Sequence, residues 1–298
     1  NTVAFIGCGS MGRGMVQNLI KSGFRVQAFD LNSTALAEVS RIGAIPTSAA
    51  REAAIGANYA VTMLPESSHI EAAVFGKDGL AETLAKGTLL IQTSSIDASS
   101  MIRFANSLSD RGIRSVDSPV LKDAAAAASG TLAIQSAGNL LDTKDALPIQ
   151  KAIGESVNYV GSIGQASILK ALNNSLNFTI RAATIEALVT GAKSGLAVHT
   201  MVDAFRKTGA KNLNLDNIAN AEDLHSGLAP KMRAGLVLKD LKLGVTQASS
   251  VGVPNPIIAA AANEVAMGEA LVDYHNSIDP VLALLERIAD PEWQYSEL

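Results

Sequence analysis

The segment Gly7-Cys8-Gly9-Ser10-Met11-Gly12 constrains the fold more than any other part of the chain. It follows a short apolar run, Thr2–Ile6, and opens a stretch, Ser10–Ser22, in which Met11, Met15, Leu19 and Ile20 recur at helical spacing before Gly23. Phe24–Phe29 then alternates as a strand and ends at Asp30. A glycine triplet spaced GxGxxG between a strand and a helix has a physical reading in this setting. The first glycine permits the tight turn, the second lets backbone approach a pyrophosphate, and the third lets the helix pack close to the sheet. The helix N-terminus then offers free N–H groups and a partial positive charge to phosphates. We therefore read Gly7, Cys8, Gly9, Ser10, Met11 and Gly12 as the cradle of a dinucleotide. Asp30 is placed to accept hydrogen bonds from a ribose hydroxyl and to repel a 2′-phosphate. Leu31, Asn32 and Ser33 bring no arginine. The expected cofactor is NAD, with NADP less favoured; the alternative is that Asp30 only ends the strand and Arg13 or Arg41 reaches the phosphate.

The rest of the composition narrows the class. With 298 residues the chain has the length of two domains. Hydrophobic residues make up 48% and charged residues 17%, which is unlike a disordered chain. Lys and Arg total 24 against 28 Asp and Glu, so the basic bias of a nucleic-acid binder is absent. One cysteine excludes a disulfide framework and a multi-cysteine metal site. His69, His199, His225 and His275 lie far apart, read as surface or helix-terminal residues, and no metal site is expected. No apolar run approaches the ~20 residues of a membrane span, and no secretory signal pattern opens the chain. It begins at Asn1 rather than Met, so the original start is expected upstream. These features point to a cytoplasmic setting.

Strand-like and helix-like segments alternate through the first half. After Ser33–Arg41, read as a helix, strands are expected at Asn58–Leu64, Thr88–Gln92 and Ile113–Asp117, with a helix around Ser99–Arg111. Thr131–Ser136 reads as the last strong strand, and Ala124–Ala128 as a plain helical turn or packed loop. This pattern predicts a doubly wound parallel sheet. The texture changes at Gly161-Ser162-Ile163-Gly164. From Gln165 to Ser194 no proline interrupts, and Leu169, Leu172, Leu176, Ile180, Ala183 and Ala187 form one apolar stripe. About 30 residues at 1.5 Å each span roughly 45 Å, enough to join two domains. Further helices are expected at Val198–Lys207, Lys211–Ala219, Arg233–Ser250, Pro256–Ala270 and Pro280–Ala289. The expected architecture is an α/β Rossmann domain over residues 1–161, then an all-α domain over 162–298, joined by the long helix.

On that helix Lys170, Asn174, Asn177 and Arg181 share one face, offset from the leucines, with Asn173 beside them. Such a polar stripe is commonly only the wet side of a helix. Here it follows a domain junction, where clefts form, and it mixes cations with carboxamides rather than Glu/Lys pairs. A lysine in a cleft can give a proton to a carbonyl oxygen as hydride arrives and take it back in reverse, and partial burial brings a lysine toward working pH. Asparagine holds a hydroxyl or carboxylate without titrating.

Taken together, these segments resemble the β-hydroxyacid dehydrogenase family over nearly the whole chain. FIGCGSMGRGMVQNLIKSG is similar to its cofactor signature, and MLP at Met63–Pro65 to its next cofactor-contacting turn. TSSIDASS at Thr93–Ser100, DSPV at Asp117–Val120, GTL at Gly130–Leu132, LKALNN at Leu169–Asn174 and LKDL at Leu238–Leu241 follow in family order. The resemblance implies a Rossmann domain followed by a helical domain. It implies Lys170 as general acid/base, Asn174 with Asn173 as substrate holders, and Ser95 near the cofactor ribose or the reacting centre. Leu64, Pro65 and Lys239 would touch the cofactor, although Lys242 is equally plausible from the residues alone. The implied activity interconverts the alcohol and the aldehyde or ketone of a small acidic molecule, in a homodimer or homotetramer.

After DSPV the family has Ser-Gly-Gly, whereas this chain has Leu121-Lys122-Asp123. Without those glycines the backbone cannot approach an anion in the same way. Either Lys122 meets an acidic group of the substrate, as the cation of sulfolactaldehyde reductases does, or Lys122 and Asp123 pair together or face solvent. Imine reduction is disfavoured by Lys170, which imine reductases generally lack. Decarboxylating phosphogluconate dehydrogenases have a larger helical domain than this one. A non-catalytic nucleotide-binding scaffold is the remaining alternative; it would be expected to lose Lys170.

Overall fold

A computed structural model describes residues 1–221, 234–271 and 279–289. The chain divides into two compact units, Asn1–Ala171 and Leu172–Leu298.

In the first unit, β1 (Thr2–Ile6) is flanked by β2 (Arg25–Phe29) and β4 (Tyr59–Thr62), and β3 (Ile45–Pro46) lies outside β2. Beyond β4 come β5 (Leu89–Gln92) and β6 (Arg114–Asp117), and all six strands run parallel. Alternate residues of β1 enter opposite cores. Val3 and Phe5 pack with Met15, Leu19 and Val26, while Ala4 and Ile6 pack with Ile70, Met101 and Leu108. A sheet buried on both faces in this way needs helices on both sides. They are α1 (Ser10–Lys21), α2 (Ser33–Arg41), α3 (Ala50–Ala53), α4 (Ser67–Phe75) and α5 (Ala98–Ser109).

Past β6 the sheet departs from a purely parallel order. β7 (Val120–Leu121) and β8 (Leu132–Ala137) pair antiparallel, and Asp117 faces Ala137 in the opposite sense. Between them lies α6 (Ala124–Ser129), capped by the Asp123 carboxylate and closed by Gly130 at φ 72°. Then α7 (Leu140–Ile153) crosses over to β9 (Gly154–Gly161), parallel to β8. Thr131–Ser136 is thus not the last strong strand, because β9 is longer. Its residues alternate poorly, with Glu155, Asn158 and Tyr159 exposed, so periodicity does not announce it. The helix α7 is masked in the same way by Pro148 within it.

The long helix α8 spans Gln165–Lys193. Its leucine stripe does not face a core: Leu169, Leu172, Leu176 and Ile180 are exposed, as are Ala183 and Ala187. The buried face carries small and hydroxylated residues, including Ser167, Ser175, Thr179 and Ala182, which allow close approach. Their hydroxyls need no water, since Thr179 Oγ1 donates to the Ser175 carbonyl at 2.7 Å and Ser175 Oγ to that of Leu172 at 3.2 Å.

In the second unit follow α9 (Val198–Phe205), α10 (Leu213–Ala219), α11 (Ala234–Ser250), α12 (Pro256–Glu269) and α13 (Pro280–Ala289). Their shared core holds Ile185, Leu188, Met201, Leu215, Leu241, Val265 and Leu282. Gly268 brings α12 against α13, because a Cβ there would lie 1.9 Å from the Pro280 carbonyl oxygen. The expected helix start at Arg233, and His225 and His275, lie outside the described residues. Among those described, His69 and His199 are exposed, no helix is long and apolar enough to cross a membrane, and no cluster of metal-ligating side chains forms.

One buried side chain joins α1 to α6. Asn18 Nδ2 donates to the carbonyls of Gly14, Ala127 and Ala128 at 3.0, 2.8 and 3.2 Å. Asn18→Ala leaves those of Ala127 and Ala128 without that donor. It is expected to lower stability by about 1–3 kcal/mol in urea unfolding at unchanged m-value; an unaltered midpoint would show the bonds to be immaterial.

Candidate active site

The candidate residues of the first unit lie where the parallel strands end, the usual ligand edge of an open α/β sheet. After β1, Gly7 takes φ 99°, and a Cβ on it would lie 2.1 Å from the Met63 carbonyl oxygen. A Cβ on Gly12 would lie 1.9 Å from the Gly7 carbonyl oxygen. Both positions therefore require glycine. Gly9 differs: it is exposed, nothing lies within 4 Å of where its Cβ would be, and it precedes α1 without any side-chain cap. The first-turn N–H groups of a helix have no intrahelical acceptor, so the exposed entry at Gly9, Ser10 and Met11 suits a pyrophosphate.

Asp30 reinforces this turn. Its Oδ2 accepts the Cys8 N–H at 2.6 Å and its Oδ1 the Asn32 N–H at 2.7 Å. A carboxylate has acceptor capacity beyond two bonds, so a ribose hydroxyl can still be received. Arg13 is paired with Glu38 at 3.0 Å, both half-exposed. The neighbouring strand ends are stitched together. Met63 N–H donates to the Ile6 carbonyl at 2.9 Å, and Leu64 N–H to Ser94 Oγ at 2.8 Å. Thr93 Oγ1 donates to the Thr62 carbonyl at 2.7 Å. Leu64 and Ser95 are partly buried and Pro65 is exposed. Ser94, overlooked in favour of Ser95, is the buried hydroxyl that fixes the Leu64 turn.

Lys170 belongs to this same unit and is only 8% exposed. Asp117, at the end of β6, is fully buried and bonds to the first turn of α8. Lys122 stands in a left-handed conformation, φ 79°, where the family resemblance puts a glycine. Its Nζ reaches Glu155 on β9 at 2.5 Å while the side chain stays partly exposed, and the Asp123 carboxylate caps α6.

Asn173, Asn174 and Lys239 lie in the second unit. Asn174 Nδ2 donates to Asp240 Oδ2 at 2.6 Å, and its Oδ1 accepts from Asn173 at 3.1 Å. Lys239 Nζ lies 3.1 Å from Asp240 Oδ1. The buried Asp240 thus ties α8 to the lysine of α11. Asp240 is flanked by Lys239 and Lys242 in the sequence, and its burial is what distinguishes it from a surface acid. Lys239 and Lys242 both line a groove of about 370 Å³ with Leu238, Thr246 and Glu269.

Cys8 is buried in the glycine turn, and burial, then the Asp30 charge, pushes its thiol up to about 12. It is a space-filler rather than a nucleophile. In mildly alkaline buffer the folded protein is expected to resist a thiol reagent, and the single thiol to react on denaturation. Rapid reaction of the native protein would contradict this.

The comparisons with known proteins show the family and the fold. Residues 2–161 match the family described as the NAD binding domain of 6-phosphogluconate dehydrogenase. Residues 164–284 match the NAD-binding domain of NADP-dependent 3-hydroxyisobutyrate dehydrogenase. An NAD-dependent L-serine dehydrogenase of Pseudomonas aeruginosa is 31% identical over 264 residues, covering 85% of this chain and 87% of that protein. The 3-hydroxyisobutyrate dehydrogenase of the same organism is 30% identical over 283 residues, covering 93% and 95%. A solved 3-hydroxyisobutyrate dehydrogenase of Mycobacterium tuberculosis with L-serine shares the fold at TM-score 0.86 and 24% identity, covering 95% and 97% of the two chains. The chain belongs to the β-hydroxyacid dehydrogenase family, an NAD(P)-dependent oxidoreductase family.

Proposed function

We propose that the protein interconverts the alcohol and the aldehyde or ketone of a small 3-hydroxy acid, with NAD preferred and Lys170 as general acid/base. The observation that carries this reading is Lys170, a lysine 8% exposed near the start of α8 in the unit that also bears the glycine turn. Relatives named for L-serine and for 3-hydroxyisobutyrate both point to a 3-hydroxy acid.

Gly7, Cys8, Gly9, Ser10, Met11 and Gly12 would hold the pyrophosphate by backbone, Asp30 the ribose, and Leu64, Pro65, Ser95 and Lys239 the remaining contacts. When bound, the nicotinamide supplies or accepts the hydride. In the oxidative direction Lys170 Nζ takes the hydroxyl proton; in the reductive direction it returns a proton to the carbonyl oxygen. Asn174, supported by Asn173 and fixed by Asp240, holds the substrate's polar groups without titrating. Asp30, with no arginine at the next residues, supports NAD over NADP, and the Arg13–Glu38 pair leaves Arg13 already engaged. A homodimeric or homotetrameric assembly in the cytoplasm accompanies this reading.

A second reading is reduction of a sulfonated or otherwise unusual acidic aldehyde, favoured by a cation at Lys122 in place of a glycine. Glu155 at 2.5 Å already balances that charge, which weighs toward the first reading. Lys170 and Asn174 together weigh against imine reduction and against a silent scaffold.

The test is a panel of carboxylate and sulfonate alcohols and aldehydes followed by reduced-nicotinamide absorbance with each cofactor. A 3-hydroxy carboxylate is expected to turn over with a higher kcat/KM for NAD(H) than NADP(H), and Lys170→Met to lower kcat by about 10²–10⁴-fold. Better use of NADP(H) would overturn the cofactor preference, and a fully active Lys170→Met the mechanism.

A further inference from the structure

The Asp117 carboxylate lies between the end of β6 and the start of α8 and has no contact role in the chemistry proposed above. Its Oδ2 accepts the N–H of Gly164 at 3.1 Å and of Ser167 at 2.9 Å, and its Oδ1 accepts Ser167 Oγ–H at 2.8 Å. These donors are the entry to α8. Ile168 N–H closes the first helical hydrogen bond on the Gly164 carbonyl at 2.9 Å, and Gly164 takes φ 92° to admit the chain. Lys170 follows Ser167 by three residues, so the two share a helix face, and both are buried.

A helix free at its N-terminus can turn about its axis and carry its side chains with it. Here the first turn is held to the sheet by one side chain that bonds both backbone and hydroxyl. Gln165 Oε1 accepts the Ser162 N–H at 2.8 Å, which fixes the preceding turn. A carboxylate at this end of a helix also meets the positive end of its dipole. Burial pushes the Asp117 carboxyl up to about 6, against hydrogen bonds that favour the ion. The carboxylate is the form in which all three donors find an acceptor. Asp117 also begins the segment that leads to Lys122, and the next residue is pinned by Ser118 N–H to the Gln92 carbonyl at 2.8 Å and by Gln150 Nε2 to Ser118 Oγ at 2.8 Å.

We propose that Asp117 is the positioning residue of the reaction: through Gly164 and Ser167 it fixes the rotation of α8 and so the place of the Lys170 amine. The inference rests on Lys170 being the proton-transfer group. It assigns to Asp117 no contact with substrate or cofactor.

The experiment is a single-turnover measurement with excess enzyme, using whichever 3-hydroxy carboxylate turns over in the panel, on four proteins: wild type, Asp117→Asn, Lys170→Met and the double variant. Asparagine keeps the size of the side chain but presents an amide to donors that need acceptors. Displacement of a reacting group by an ångström costs on the order of 10²-fold. Asp117→Asn is therefore expected to lower the single-turnover rate constant roughly 10- to 100-fold while reduced-cofactor affinity stays within about twofold. In the Lys170→Met background the same substitution is expected to add nothing, because its effect acts through the lysine. A general structural defect would instead multiply the loss and weaken cofactor binding. An unchanged rate constant in Asp117→Asn, or a full multiplicative loss in the double variant, overturns the proposal. If Asp117→Asn fails to fold, Ser167→Ala replaces it; the smaller loss expected there must likewise vanish in the Lys170→Met background. A fully active Lys170→Met would refute the reading under Proposed function, whereas an inactive Lys170→Met beside a fully active Asp117→Asn would refute only this inference.

Discussion

The carbonyl oxygens of Gly7 and Met63 occupy space that a single methyl group on Gly12 or Gly7 would fill. That close approach locks the turn after β1 against the turn after β4. The Met63 N–H in turn reaches the Ile6 carbonyl, the Leu64 N–H reaches Ser94 Oγ after β5, and the Ser118 N–H reaches the Gln92 carbonyl after β6. Asp117 continues the series into α8. A short run of backbone contacts across adjacent strand ends thus connects the glycine turn with the first turn of the helix that bears Lys170. The proposed chemistry would depend on placement to within a fraction of an ångström, and this stitching would supply it within the first unit.

The loop after Pro119 is tied into the same frame. Asn18 on α1 holds the carbonyls of α6, and a Cβ on Gly14 would lie 2.5 Å from the Ala128 backbone nitrogen. The segment carrying Lys122 therefore rides on the helix that begins at the glycine turn. Lysine in a left-handed backbone is unusual, since its Cβ crowds the carbonyl where glycine would not. The ion pair to Glu155 accompanies that conformation and ties the loop to β9. Where the family resemblance implies Ser-Gly-Gly, this chain thus carries a paired charge in place of open backbone.

How much of this the residues disclose depends on the range of the interaction. The glycine turn, Asp30 and most of the strand–helix alternation through Asp117 are local patterns that can be read directly, whereas β3, α3 and α4 are too short or too weakly amphipathic to announce themselves. The full extent of α8 follows from an uninterrupted run without proline. Its orientation does not, because the exposed face carries the leucines and the buried face carries Ala182 with Ser175 and Thr179, whose hydroxyls bond within the helix. The strand β9 and the helix α7 hide behind weak alternation and Pro148. Asp117 to Ser167, Asn174 to Asp240 and Lys122 to Glu155 each link residues far apart in the chain, and no spacing rule brings such partners together.

The most direct measurement is a crystal structure of the protein with nicotinamide cofactor and a 3-hydroxy carboxylate bound. Lys170 Nζ is expected within hydrogen-bonding reach, about 2.6–3.2 Å, of the substrate hydroxyl oxygen, with Asp117 still bonded to Gly164 and Ser167. A Lys170 amine directed into bulk water, away from the nicotinamide, would contradict it.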